Sequence, residues 1–237
     1  MFKKLIQLSA SVLVVLILLY FVGCGNDDDP VLPDEEEPDT TIVTDIDGNI
    51  YQTIQIGDQR WMAENLKVTR YRNGDPIPNV TSNITWEALT TDAYCGYNNS
   101  QVNVITYGRL YNWYAVEDSR NLAPNGWHMP SDDDWQILID YLGGASIAGG
   151  KMKTTGTAHW LSPNTGATNE SGFSALPAGC RDYTGHCTNI VYHAYFWSTT
   201  AINSDSAWHR RLDYYNSTAI HETYDKRAGF SIRCVRD

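Results

Sequence analysis

The sequence predicts an α+β domain: two helices, a small antiparallel sheet and long irregular loops, carried behind an export segment and an acidic tether. Three observations predict it. An apolar stripe with its own start and stop signals marks a helix between Ser131 and Gly144. Short runs of alternating, β-branched or aromatic residues bounded by Gly, Asn and Asp mark strands towards both ends of the globular part. Between them, Ser146 to Gly172 is rich in Gly, Thr and Asn and follows neither period. The 237 residues are 42% hydrophobic and 19% charged, with 15 Tyr and 8 Trp, a composition that folds. A net charge of −11 argues against a nucleic-acid binder, which needs a basic face for phosphate.

The chain opens with Lys3 and Lys4 and an apolar run from Val12 to Val22. As a helix this run rises about 16 Å, roughly half a bilayer core, which suits a signal peptide better than a span. A longer anchor starting near Leu5 is interrupted by Gln7, Ser9 and Ser11, and no cationic stop signal follows. Phe21-Val22-Gly23-Cys24 resembles a bacterial lipobox. That resemblance implies removal of residues 1–23 and attachment of acyl chains, palmitate among them, to Cys24, so that the membrane is a partner through this lipid. Each buried CH₂ contributes about 0.8 kcal/mol to such an anchor. Residues 24–40 carry eight acids, three prolines and no Lys or Arg, which keeps them extended as a tether. Acids directly after the lipidated Cys also resemble the surface-export signal of Bacteroidetes-type lipoproteins, which implies the outer membrane and the cell surface. Residues 41–237 are left with 20 acids against 15 bases, so most of the acidity belongs to the tether.

Residues 41–237 read as one domain. Thr44 to Tyr51 and Thr53 to Asp58 alternate as strands, with hairpin turns at Asp47-Gly48 and Gly57-Asp58. Asp45, Asp47 and Asn49 mimic the start of a calcium loop. Ile56 stands where such a loop needs a bidentate Glu, so the turn reading holds. The first helix is expected over about Tyr107 to Glu117, from Leu110, Trp113 and Tyr114 at i, i+3 and i+4. The second is capped by Ser131, with Asp134 completing a capping box. Its stripe is Trp135, Leu138, Ile139 and Leu142, and Gly143-Gly144 stops it. Asp132, Asp133 and Asp134 suit the helix dipole, and successive positions about 100° apart cannot converge on one ion. Later strands are expected at Tyr195 to Ser198, Ala207 to Tyr215, Thr218 to Tyr224 and Gly229 to Val235. In the last, Phe230, Ile232 and Cys234 share one face and Ser231, Arg233 and Val235 the other.

Besides Cys24 the chain has Cys95, Cys180, Cys187 and Cys234, which allow three disulfide pairings in an exported protein. The short spacing around Asp182-Tyr183-Thr184-Gly185 pairs Cys180 with Cys187 across a hairpin, leaving Cys95 for Cys234. No Cys-x-x-Cys pair supports zinc.

Six blocks now carry a resemblance. They are Asp45 to Tyr51, Trp61 to Leu66, Gly108 to Trp113, Gly126 to Ser131, Gly172 to Pro177 and Gly229 to Asp237. In this order they resemble the Fibrobacter succinogenes major paralogous domain, common in secreted and lipid-anchored proteins. The resemblance implies a C-type-lectin-like layout and carries no established activity. The chain departs from the pattern at Ala123, where many members have Cys, and at Cys180, where many have Tyr.

Function follows as three expectations. The first is a noncatalytic surface binding or adhesion module, with a glycan or a surface protein as partner. Tyr195, Trp197, Trp208, Tyr214 and Tyr215 would stack on sugar, with Arg181, Asp182, His209 and Arg210 as polar partners. The Glu-Pro-Asn and Trp-Asn-Asp motifs of calcium-dependent lectins are absent, so calcium-dependent sugar binding is unsupported and no cofactor is expected, with an ion elsewhere left open. The second is a structural surface scaffold. The third is an oxidase related to the formylglycine-generating enzymes, which share the lectin-like layout and use a cysteine pair and copper. The surroundings of Cys180 and Cys187 do not match that motif, and a shared fold does not confer activity.

Overall fold

The computed structural model describes residues 41–237. The expected signal segment, Cys24 and the acidic tether lie outside the described residues. The architecture is α+β. Strands β1 (Ile42–Thr44), β2 (Ile50–Ile56) and β3 (Gln59–Met62) open it. Helix α1 (Asn83–Glu87), β4 (Tyr94–Cys95), α2 (Gln101–Tyr107), β5 (Leu110–Tyr111), α3 (Trp113–Glu117) and β6 (Trp127–His128) follow. Then come α4 (Asp132–Tyr141), α5 (Ala145–Met152), β7 (Cys180–Arg181) and β8 (Cys187–Thr188). The chain ends with β9 (His193–Ala201), β10 (Ser206–Asp213), β11 (Ala219–Asp225) and β12 (Val235–Arg236).

Among the described residues the sheets are antiparallel. One has five strands in the order β1-β2-β3-β12-β6 and one has three in the order β11-β10-β9. Two short pairs, β4-β5 and β7-β8, complete them. The opening hairpin forms as its turn residues predict. Asp45 accepts from the amides of Asp47 and Asn49, both at 2.9 Å, and from the Tyr51 hydroxyl at 2.6 Å, so its carboxylate is consumed in shaping the turn.

Helix α4 is the element the sequence predicts best. Ser131 accepts from the Asp134 amide while the Asp134 carboxylate accepts from the Ser131 amide, a complete capping box. Trp135, Leu138 and Ile139 face inwards. The helix expected over Tyr107 to Glu117 is corrected. Gly108 takes φ +78 and ends α2, and a Cβ there would meet Asn65 and Leu66. Leu110 and Tyr111 then pair with Cys95 and Tyr94 as a strand, and Asn112 caps a separate α3. The expected strand from Gly229 to Val235 is also corrected. Phe230 bonds to Tyr111, Ser231 to Tyr195, and the carbonyls of Ile232 and Cys234 to Leu66 and Met62, so the segment serves several neighbours and only its end runs in a ladder.

That segment partitions the interior. Phe230, Ile232 and Cys234 enter one core with Tyr51, Tyr111, Trp113 and Trp197. Val235, on the opposite face, enters a second core with Trp61, Trp135, Phe173 and Phe196. The alternation read from the sequence is real, and both of its faces are buried.

Long loops leave main-chain carbonyls without ladder partners, and the half-buried Arg72 and the buried Arg233 supply donors. Arg72 donates to Ala123, Pro124 and Trp127, and Arg233 to the carbonyls of Phe173 and Ser174 and to Asn65 Oδ1. Burial pulls the Arg233 guanidinium down to about 9.

Both expected disulfides are corrected: Cys95, Cys180, Cys187 and Cys234 are free thiols. In the β7-β8 ladder Cys180 stands opposite Thr188 and Cys187 opposite Arg181. This one-residue offset turns the two sulfurs to opposite faces of the hairpin. Cys95 lies in a cluster with Trp86 and Leu110, apart from the core that holds Cys234. Burial pushes the Cys95 thiol up to about 12 and the Cys180 thiol up to about 11, which makes both poor nucleophiles.

Candidate functional site

The nine side chains expected to bind ligand are divided by the three-stranded sheet. Arg181 is 1% exposed and spends its guanidinium on the carbonyls of Gly185, Val80 and Thr81, on Asn83 Oδ1, and on the Trp86 ring at 4.4 Å. Asp182 accepts from the amides of Thr184 and His186 within its own turn. Tyr195 stacks on Phe230 at 4.9 Å, and Trp197 is buried with its indole N–H on the Tyr111 carbonyl. His209 lies among Tyr195, Trp197, Tyr224 and Phe230, with neither ring nitrogen hydrogen-bonded. Burial, reinforced by Arg211, His221 and Arg210, pulls it down to about 3, so it is neutral at pH 7.

Trp208 and Arg210 occupy the other face of β10. Trp208 stacks on His221 at 4.1 Å, and Asp132 of α4 accepts from Arg210 at 3.1 Å and lies 3.0 Å from His221 Nε2. Asp132 thereby ties the start of α4 to the sheet. Among the nine, Tyr214 and Tyr215 are brought together at the surface, at the end of the sheet formed by the start of β9 and the close of β10.

This end is built around Asp213, whose side chain is fully buried. His193 Nδ1 lies 2.5 Å from its carboxylate and Arg211 Nε 3.0 Å. Arg211 continues to Glu222 at 2.7 Å. Burial alone would raise Asp213, but His193 and Arg211 outweigh it and hold the acid down at about 2. A hydrogen bond to Asp213 pushes the Tyr215 phenol up. Around this network the rings of Tyr192 and Tyr214 meet edge-on at 5.6 Å, and those of Tyr214 and Tyr215 at 5.3 Å. Tyr192 is 42% and Tyr215 52% exposed. The result is an amphipathic surface of ring faces beside fixed donors and acceptors. Sequence reasoning missed Tyr192, His193, Arg211, Asp213 and Glu222 as site residues. The alternation of β10 places Arg211 and Asp213 on one face, and that signal could have found them.

The opposite end of the same sheet carries a cavity of about 470 Å³, lined by Glu87, Tyr114, Asp205, Asp225 and Arg227 and by the chain at Ala88 to Thr90. Arg227 Nη2 lies 2.6 Å from Asp225, and Nη1 donates to the Glu87 carbonyl at 3.1 Å. None of these residues was expected, because they come from four distant segments. Among the described residues no group of three His, Cys, Asp or Glu could hold a metal ion, and no helix is long and apolar enough to cross a membrane.

In comparisons with known proteins, the family model described as the Fibrobacter succinogenes major domain matches residues 54–236. No curated protein and no solved structure matches the chain.

Proposed function

The chain belongs to the Fibrobacter succinogenes major domain family, and from that premise we propose that residues 41–237 are a noncatalytic binding module for a polyhydroxylated ligand of the sugar class. The observation that carries this reading is the trio Tyr192, Tyr214 and Tyr215 set beside the His193–Asp213–Arg211 network. Apolar sugar faces stack on aromatic rings, while hydroxyls take up ionic donors and acceptors at the rim. Arg211 and Glu222 supply one of each, already oriented by their mutual bond.

The C-type-lectin-like layout is part of this proposal. It is supported by a strand order that sets β12, near the end of the chain, between β3 and β6, and by the long loops that follow α5. Anchoring through lipid on Cys24 at the outer cell surface is also proposed, on Phe21-Val22-Gly23-Cys24 and the acids that follow. The opposed sulfurs of Cys180 and Cys187 favour a binding module over a two-cysteine oxidase. A scaffold role differs from the first reading in lacking a small ligand.

A glycan array probed with the purified protein tests this. Binding to a defined set of glycans is expected, weakened about tenfold or more by Tyr192→Ala and by Tyr215→Ala. Absence of binding to every glycan would leave the scaffold reading in its place.

A further inference from the structure

We propose that Lys153 is a built-in cation that shapes the tyrosine surface, its ammonium gathering carbonyls from two loops so that Tyr214 and Tyr215 are presented in one fixed arrangement. This rests on reading that surface as the ligand site. Lys153 directly follows α5 and is 0% exposed. Its Nζ donates to the carbonyls of Thr165 at 3.0 Å, Asp213 at 2.8 Å and Asn216 at 2.8 Å. All three N–H donors of the ammonium are thereby used. The charge also lies 5.4 Å from the centre of the Trp160 ring.

The carbonyls of Asp213 and Asn216 bracket Tyr214 and Tyr215. Lys153 therefore grips the β10–β11 connection on both sides of the two tyrosines. Three converging carbonyl oxygens repel one another and need a positive group at their focus. A metal ion would serve elsewhere; here the side chain of the protein does. The same connection is held at further points. The Tyr214 amide donates to Tyr192 at 3.0 Å, its carbonyl accepts from Thr165 at 2.8 Å, and Ser217 accepts from Gly150 at 3.0 Å. Gly150 permits the approach of both loops, since a Cβ there would stand 2.4 Å from the Gly166 oxygen and 3.2 Å from Ser217 Cβ. Rings held in place before binding lose little freedom on binding, which favours affinity.

The charged groups facing Lys153 are few. The Asp213 carboxylate of β10 favours the ammonium, with His193 of β9 and Arg211 of β10 around that same carboxylate. Burial outweighs Asp213 and pulls Lys153 down to about 8. The clamp is charged at neutral pH and is lost in mildly alkaline solution.

Lys153→Ala removes the ammonium and leaves a channel for a small amine. Amide hydrogen exchange over residues 213–217 is expected to quicken about tenfold or more, and binding of an array-positive glycan to weaken about tenfold. Added n-propylammonium should restore both, while the same concentration of sodium should not. Unchanged exchange, or faster exchange with unaltered glycan affinity, would overturn the proposal. If the wild-type protein binds no glycan, the sugar reading fails alone, and exchange with amine rescue still decides whether Lys153 orders the loop. Should Lys153→Ala not fold, the wild-type protein serves. The amide resonances of Gly166, Tyr214 and Ser217, each following a carbonyl bonded to Nζ, should titrate together near pH 8. Independent titration of the three, or its absence up to pH 12, would overturn it.

Discussion

The two ends of the three-stranded sheet use the same pair of residue types in opposite ways. At the tyrosine end Arg211 and Asp213 are two residues apart on β10, and the Asp213 side chain is 0% exposed. At the cavity end Asp225 and Arg227 are also two residues apart, but their side chains are 28% and 33% exposed. The contact distances are similar, at 3.0 Å and 2.6 Å. What differs is the medium. In the first pair the carboxylate is fully buried and Arg211 is 23% exposed, whereas the second lines an open hollow with Glu87 and Asp205. Water screens the second pair and leaves it worth little, while the first carries a structural load.

The largest expected effect lies between the two ends, at His209 in the middle of β10. Its folded value of about 3 is below that of an unfolded histidine, about 6.5. Between those values the unfolded chain binds the proton and the folded chain does not, so stability falls as pH falls from about 6.5 to about 3. The slope approaches 1.4 kcal/mol per pH unit, or about 4 kcal/mol over the window. Urea midpoints at pH 7, 5 and 4 should show it, and His209→Phe should flatten it. If His209→Phe leaves the slope intact, the acid sensitivity belongs to one of the ends.

Asp213 comes next. Asp213→Asn leaves His193 and Arg211 facing a neutral group and is expected to cost about 2–4 kcal/mol at pH 7. Its contribution is present above about pH 4 and is lost as pH falls towards 2, a window lower than that of His209. Chemical denaturation at pH 7 measures the first effect. An equal loss from Asp225→Asn would abolish the distinction between buried and open pairs.

The tyrosine end also separates from the cavity end in binding. Tyr192→Ala should weaken glycan affinity about tenfold, or about 1.4 kcal/mol, and Tyr114→Ala in the cavity should leave it unchanged. Titration of both variants with one glycan decides which end holds the ligand. The reverse pattern would move the site to the cavity.

How far the sequence foretold this depends on where each signal lives. Helix α4 was legible because its cap, stripe and stop are all local. The opening hairpin was legible because Asp45, Asp47 and Gly48 fold on themselves. The break at Gly108 was not, since the spacing of Leu110, Trp113 and Tyr114 fits a helix while Leu110 and Tyr111 are claimed by a strand through Cys95 and Tyr94. The aromatic candidates misled for a related reason. Strands β9 and β10 are largely buried on both faces, so alternation cannot tell Trp197 in the core from Trp208 near the surface. Tyr214 and Tyr215 were found, but Tyr192 precedes the strand and reaches them through β9 pairing. The cavity joins α1, α3 and both ends of the β10–β11 hairpin, and no local pattern encodes such a meeting.

The smallest expected effect tests the cavity pair directly. Arg227 binds Asp225 through two nitrogens, at 2.9 and 2.6 Å, and reaches the Glu87 carbonyl at the close of α1. Asp225 is held below its usual range, with Arg227 overcoming the effect of burial. Partial exposure of both side chains screens the pair, so Arg227→Ala should cost less than about 1 kcal/mol. Part of that cost is the lost cover over the Tyr183 ring, 5.4 Å from the guanidinium, and is insensitive to salt. Raising ionic strength to 1 M should therefore erase most, but not all, of the difference between wild type and Arg227→Ala. The cost of Asp213→Asn should survive the same salt, because screening ions cannot reach a fully buried carboxylate. A salt-sensitive Asp213 would mean that the tyrosine end is as open as the cavity.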